Sequence, residues 1–147
     1  MKISIIAVGK LKERYLIDAA NEYIKRLKNY TNIDIVEIPE CRTVDEECDK
    51  IISRLPNDSW ICVLDVLGVS MSSEEFARTI SNITLQGQSK LTFVIGGAFG
   101  LNQQLREAAT LRLSLSKMTF THQMTRIILI EQIYRAFKIN RGEPYHW

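Results

Sequence analysis

The stretch LTFVIGGAFG, residues 91–100, decides the fold of this chain. Its first half, Leu91 to Ile95, is a short apolar run typical of a buried strand, and Gly96 to Gly100 is a sharp turn that ends it. Asn102 can then cap a short helix that runs through Ala109. A strand, a glycine turn and a helix in this order indicate an α/β sheet, in which ligands bind beyond the carboxyl ends of the strands.

The same alternation of strands and helices extends over the whole chain. Further strands are predicted at Lys2 to Val8, Ile33 to Ile38, Trp60 to Leu67 and Leu111 to Leu115. Helices are predicted at Arg14 to Tyr30, Val44 to Leu55, from the capping-box residue Ser72 to Leu85, and Met124 to Ile139. With no internal repeat and no linker, residues 1–147 are expected to form one α/β domain with a mostly parallel sheet flanked by helices.

The composition is that of an ordinary globular protein, with 46% hydrophobic and 24% charged residues. No apolar stretch is long enough to span a bilayer, so no membrane association is expected. The apolar start of the chain is followed by Lys10, Lys12 and Arg14, which favours a first strand over a signal peptide and predicts a cytoplasmic protein. The three cysteines lack metal-ligand spacing, and no metal site is expected.

The net charge of +2 is distributed unevenly along the chain. Residues 1–30 and residues 112–147 are basic, whereas residues 31–111 are acidic. If the two basic ends meet in space they can form a phosphate-binding face. Solvated surface charge is the ordinary explanation of such a pattern.

The glycine turn does not match the known phosphate-binding motifs. It reads G-G-x-x-G after the fourth strand, without an acidic residue about twenty positions on, and the chain has no Walker A motif. A flavodoxin-like or nucleotide-dependent enzyme is therefore disfavoured. Glycines here either let the backbone approach an adenosyl ligand closely or serve a tight turn that needs positive φ. On the first interpretation, a bulky side chain at Gly96 should block the ligand without unfolding the domain.

Polar residues of the last third complete the candidate set. The loops after strands three and five, Asp65 to Gly68 and Ser116 to Thr121, share an edge with the glycine turn. His122 follows the loop after the fifth strand and precedes the last helix. A lone histidine in such a position more often makes a structural hydrogen bond than takes part in catalysis. Glu131 and Arg135 are spaced i, i+4, which usually indicates a surface ion pair. Tyr145-His146, if ordered, adds a side chain that titrates near neutral pH.

Five ordered motifs carry a resemblance to a known family. They are IGGxxGL (95–101), LSLSKMTF (113–120), HQxxR (122–126), EQxYRA (131–136) and PYH (144–146), with AVGK (7–10) and LDxxG (64–68) upstream. In this order the chain resembles the ribosomal RNA large-subunit methyltransferase H family of the SPOUT superfamily. The likeness covers essentially the whole chain.

The resemblance implies a C-terminal trefoil knot, an S-adenosylmethionine cofactor, and a homodimer with its active site at the subunit interface. It implies methylation of N3 of a pseudouridine in 23S ribosomal RNA within the assembled ribosome. The cofactor positions carried over are Leu64, Gly96, Leu115, Ser116, Lys117, Met118, Thr119 and Phe120. The catalytic positions carried over are Arg135, Tyr145 and His146, with His146 the natural general base and Arg135 bound to a phosphate or to uracil carbonyls.

Three features depart from the family pattern. Thr121 stands where proline is expected, which predicts a less rigid loop before His122; the segment Cys41 to Ser59 looks short; and Trp147 stands where a charged residue is expected. A non-catalytic ribosome-associated RNA-binding protein is the alternative function, since basic ends alone would suffice for it. That alternative predicts RNA binding without cofactor binding.

Overall fold

The computed structural model describes residues 1–146, so the departure at Trp147 lies outside the described residues. Five strands and five helices alternate along these residues. The strands are β1 (Lys2–Val8), β2 (Asn32–Ile38), β3 (Trp60–Ser70), β4 (Lys90–Ile95) and β5 (Leu111–Ser114). The helices are α1 (Arg14–Leu27), α2 (Val44–Ser53), α3 (Ser73–Leu85), α4 (Gln103–Ala108) and α5 (His122–Asn140).

The strands form one sheet in the order β2-β1-β4-β3-β5, and all four neighbouring pairs are parallel. β1 and β4 lie at its centre, and their inward residues are almost fully buried because helices cover both faces. One face carries Leu27 of α1, Ile80 of α3 and Ile133 of α5. The other carries Ile51 of α2 and Leu105 of α4. The predicted α/β domain with a mostly parallel sheet flanked by helices is confirmed.

The third strand is longer than predicted. Its ladder with β5 is interrupted between Leu64 and Val69, both of which pair with Leu113, and then continues to Ser70. The prediction that the strand ends at Leu67 was wrong because residues 65–68 form a bulge within the strand and not a loop after it. At Gly68 a Cβ atom would lie 2.4 Å from the carbonyl oxygen of Arg112, so the bulge requires a residue without a side chain.

Helix ends also differ from the prediction by a few residues, as capping explains. α1 ends at Leu27, and the next residues form a turn in which the Tyr30 amide donates to the Leu27 carbonyl. α5 begins at His122, two residues earlier than predicted, because the Thr121 hydroxyl accepts a hydrogen bond from the Met124 amide at 3.2 Å.

Candidate functional site

A cavity of about 700 Å³ opens at the carboxyl ends of β3, β4 and β5. This is the edge at which parallel sheets bind ligands, and the volume lies within the range of small-molecule sites. Seven of the eight predicted cofactor residues line it: Leu64, Gly96, Leu115, Ser116, Met118, Thr119 and Phe120. Lys117 is exposed and is not part of the lining. The structure thus brings together residues from three separate loops, as the parallel topology requires.

The glycine turn forms one wall of the cavity and folds back on itself. A Cβ atom at Gly96 would lie 2.7 Å from the carbonyl oxygen of Gly100 and 2.9 Å from Leu101 Cδ2. Gly100 has φ of 75°, and its amide donates to the Gly97 carbonyl at 3.0 Å. The expectation that a bulky residue at Gly96 leaves the fold intact is therefore wrong, because such a residue would collide with the backbone of the turn itself.

The bulge in β3 places a buried carboxylate beside the cavity. Asp65 Oδ2 accepts from Arg106 Nε at 3.1 Å and from Arg112 Nη2 at 2.9 Å, and Oδ1 accepts from the Leu67 amide at 3.0 Å. Burial alone would raise the pKa of Asp65, but the Leu67 amide and the two arginines outweigh it and lower that pKa. The side chain is 7% exposed, so Asp65 acts as an ionised anchor of the bulge.

The loop after β5 is held by its own hydroxyl groups. Ser114 Oγ donates to the Ser116 carbonyl at 3.0 Å, and Ser116 Oγ accepts from the Met118 amide at 3.0 Å. Thr121 has φ of −60°, close to the value that proline imposes, and caps α5. The prediction of a less rigid loop at Thr121 gains no support from this backbone, because threonine adopts a proline-like conformation and adds a cap.

Sequence reasoning missed Glu47, a carboxylate behind the glycine turn. It is 2% exposed, its Oε2 accepts from the Cys41 amide at 2.9 Å, and its Oε1 lies 3.2 Å from where a Cβ of Gly97 would be. Within residues 1–146, Glu47 Oε1 and His122 Nε2 are buried without a hydrogen-bond partner. The acidic stretch of α2 looked solvated in the sequence, and no local pattern marks the one carboxylate that turns inward.

The three predicted catalytic residues lie together around Glu131. Glu131 Oε1 accepts from Arg135 Nε at 3.1 Å, from Arg135 Nη2 at 2.5 Å and from the Tyr145 hydroxyl at 2.9 Å. The predicted i, i+4 ion pair of Glu131 and Arg135 forms, but its side chains are only 17% and 24% exposed, so it is partly buried and not a plain surface pair. The pair faces inward because the Pro-Tyr-His tail folds back over α5, with the Tyr145 ring 4.9 Å from that of Tyr134.

His146 completes this cluster through both ring nitrogens. Its Nδ1 lies 3.1 Å from Arg135 Nη1, and its Nε2 lies 2.6 Å from Glu74 Oε1 at the start of α3. Burial, followed by hydrogen bonds with Tyr23 and Glu131, raises the pKa of Tyr145 well above its usual range. Tyr145 therefore stays protonated at neutral pH, and His146 is the basic side chain of the cluster.

The cavity borders the start of α5, whereas Glu131 and Arg135 lie in the middle and second half of that helix. His122 lines the cavity, and Arg135 lies thirteen residues further along the helix. At a rise of 1.5 Å per residue the two are about 20 Å apart along the axis.

The two basic ends of the chain do meet in space. α1 packs against α5, the Lys12 amide donates to Gln123 Oε1 at 3.1 Å, and buried Arg126 donates to the Gly9 carbonyl at 2.9 Å. The basic loop between β1 and α1 therefore borders the α5 end that lines the cavity. No group of three metal-ligating side chains, and no helix able to cross a membrane, occurs in the part of the chain that the structure describes.

Comparisons with known proteins agree with this geometry. A family model described as a predicted SPOUT methyltransferase matches residues 1–146. Proteins named ribosomal RNA large subunit methyltransferase H from Carboxydothermus hydrogenoformans, Halothermothrix orenii and Acetivibrio thermocellus are 48%, 46% and 46% identical to this chain. Each alignment spans 158 residues and covers 99% of this chain and 99% of the relative.

Proposed function

The chain belongs to the SPOUT methyltransferase family, whose fold is known for a knot, and on that premise we propose that it methylates ribosomal RNA with S-adenosylmethionine. The finer proposal is transfer to N3 of a pseudouridine in 23S RNA, within the assembled ribosome and in the cytoplasm. The name of the relatives supports ribosomal RNA as the class of substrate, and the order of motifs from Gly96 to His146 supports the specific reaction.

The cavity at the carboxyl ends of β3, β4 and β5 is the observation that carries this proposal. Its walls are mainly apolar side chains and exposed backbone at Gly96, Gly97 and Ser116. An adenine ring fits such walls, and backbone groups can pair with its edge and with the ribose. When bound, S-adenosylmethionine supplies a methyl group on a positively charged sulfur, which makes the donor reactive without further activation.

The residues of this chain then have two tasks. The turn at Gly96 and the loop at Leu115 to Phe120 hold the cofactor, and Arg135 and His146 orient the nucleobase and accept its proton. The raised pKa of Arg135, caused first by its hydrogen bond to Glu131, keeps this guanidinium charged for a phosphate or carbonyl oxygen.

We further propose that the active protein is a homodimer. His122 at the cavity and Arg135 in the cluster lie about 20 Å apart along α5 in one chain, which favours a site in which the cluster of one subunit faces the cavity of the other. Twofold symmetry then produces two equivalent composite sites. The prediction is that mixing a Thr119→Trp subunit, whose new side chain fills the cavity, with a His146→Ala subunit restores up to about a quarter of wild-type activity, since half of the random dimers carry one intact site.

Labelled-methyl transfer onto ribosomes from cells that lack the enzyme, followed by nucleoside mapping, tests the function. Label in one pseudouridine of 23S RNA is the expected result. Label on free RNA, on protein or on no substrate would refute the proposed reaction. The alternative of a non-catalytic RNA-binding protein is tested separately by thermal unfolding. S-adenosylmethionine should raise the Tm of a methyltransferase but not that of an RNA-binding protein, and nicotinamide or flavin cofactors should raise neither.

A further inference from the structure

The contacts of His146 determine which of its ring nitrogens carries the proton. A guanidinium group has only donors, so Nδ1 must accept the hydrogen bond from Arg135 Nη1 at 3.1 Å. An ionised carboxylate has only acceptors, so Nε2 must donate to Glu74 Oε1 at 2.6 Å. The neutral ring therefore has its proton on Nε2 and its lone pair on Nδ1.

We propose that Nδ1 of His146 is the general base of the methyl transfer and that Glu74 is a positioning residue that holds the ring in this tautomer. This inference rests on the proposed function. It names a nitrogen atom and a carboxylate that the motif comparison did not assign. Glu74 lies 72 positions from His146 in the sequence and meets it only because the tail folds back onto the start of α3.

The pairing of Arg135 with His146 matches the edge of the proposed substrate. Arg135 Nη1 presents a donor and His146 Nδ1 an acceptor, side by side at 3.1 Å. The imide edge of a uracil ring presents the complement, a carbonyl oxygen next to an N–H group. In the resting protein the two side chains satisfy each other, and a bound nucleobase can take over both hydrogen bonds.

The proton transfer follows from that exchange. The imide N–H donates to Nδ1 and loses its proton to it, while the electron pair of that N–H bond stays on the ring nitrogen and forms its new bond to the methyl carbon. The electron pair of the broken carbon–sulfur bond stays on sulfur. His146 becomes an imidazolium, whose charge is balanced by Glu74.

The charged groups around His146 fit this role. Arg135 faces it from α5, Glu74 faces it from α3, and Tyr145 precedes it in the tail with its hydroxyl turned to Glu131. The hydrogen bond from His146, more than any other contact, lowers the pKa of Glu74 and so keeps this carboxylate ionised as an acceptor.

Long-range ¹H–¹⁵N spectra of the imidazole rings test the tautomer without any activity measurement. The chain has two histidines, so a His146→Asn variant assigns the signals. We expect the proton on Nε2 at pH 8. The Glu74→Gln variant should lower the fraction of His146 rings that carry the proton on Nε2, whereas Glu75→Gln on the same helical turn should leave that fraction unchanged. A proton on Nδ1 would overturn the assignment.

Single-turnover methylation of ribosomes tests the catalytic part. Glu74→Gln should slow transfer about three- to ten-fold with an unchanged KM for S-adenosylmethionine, while Glu75→Gln should match the wild type. If the wild type methylates and the two variants are equal in rate and in the fraction of His146 with its proton on Nε2, the role of Glu74 is refuted and the proposed function stands. A wild type that transfers no methyl group overturns the proposed function and the base assignment together.

Discussion

Glu131 accepts hydrogen bonds from both Arg135 and Tyr145. The substitution Glu131→Gln isolates the role of its negative charge. The substitution keeps the shape and one carbonyl oxygen but removes the charge that receives Arg135 and Tyr145. It also places an NH₂ group where Oε2 accepts from Gln132 Nε2 at 3.0 Å. Tyr145 and Arg135 then share only a neutral amide oxygen at the Oε1 position, so both hydrogen bonds weaken and the tail is held less firmly.

The size of the effect follows from burial. With 17% and 24% of the two side chains exposed, the Glu131–Arg135 pair is only partly screened by water. Weakening these charged hydrogen bonds should lower the free energy of unfolding by about 1–2 kcal/mol. For a domain of this size that corresponds to a fall in Tm of about 3–6 °C. The methylation rate should fall further, about ten-fold, because His146 and Arg135 must meet the base in one geometry.

A matched control is available on α1. Arg14 and Asp18 form another i, i+4 pair at 3.3 Å, and their side chains are 86% and 61% exposed. This pair lies at the start of α1, the end that borders Gln123. Thermal unfolding and single-turnover methylation are measured for both variants, and Asp18→Asn should match the wild type in each. Equal behaviour of Glu131→Gln and Asp18→Asn would show that the cluster neither stabilises the tail nor organises the site.

Three further changes test the cavity side of the molecule. Asp65→Asn should lower the free energy of unfolding by about 1 kcal/mol at pH 7. Because the pKa of Asp65 is lowered in the folded protein, this difference should vanish as the pH falls below that pKa. A difference in urea midpoint that persists at acid pH would contradict this prediction. Gly96→Ala should cost about 1–3 kcal/mol and weaken S-adenosylmethionine binding by calorimetry, and wild-type affinity would exclude the turn from the site. Thr121→Ala should cost about 1 kcal/mol by thermal unfolding, and an unchanged Tm would remove its role as the cap of α5.

Local sequence signals predicted most of the fold. The apolar runs of β1 and β4 and the turn after Ile95 are short-range features, and their alternation with helices leads directly to a parallel sheet. The bulge in β3 was not predictable in the same way. Gly68 looks like a strand end in sequence, and only the carbonyl of Arg112, 44 positions later, makes it a bulge.

The candidate site was predicted in its parts but not in its connections. Family motifs marked Arg135, Tyr145 and His146. Two carboxylates hold these residues in place: Glu131, which the sequence pattern assigned to the surface, and Glu74, which no sequence pattern singled out. Glu47 went unnoticed for the same reason. An inward-facing carboxylate on a charged helix has no local signature, because its partners come from distant parts of the chain.

The position of α5 bears on the proposed homodimer. Arg126, 3% exposed, fixes the first half of α5 to the Gly9 carbonyl and to Glu37, and Glu131 fixes the second half to the tail. The helix is thus held at both ends. The proposed homodimer does not require α5 to bend, because twofold symmetry would bring the tail of one subunit to the cavity of the other.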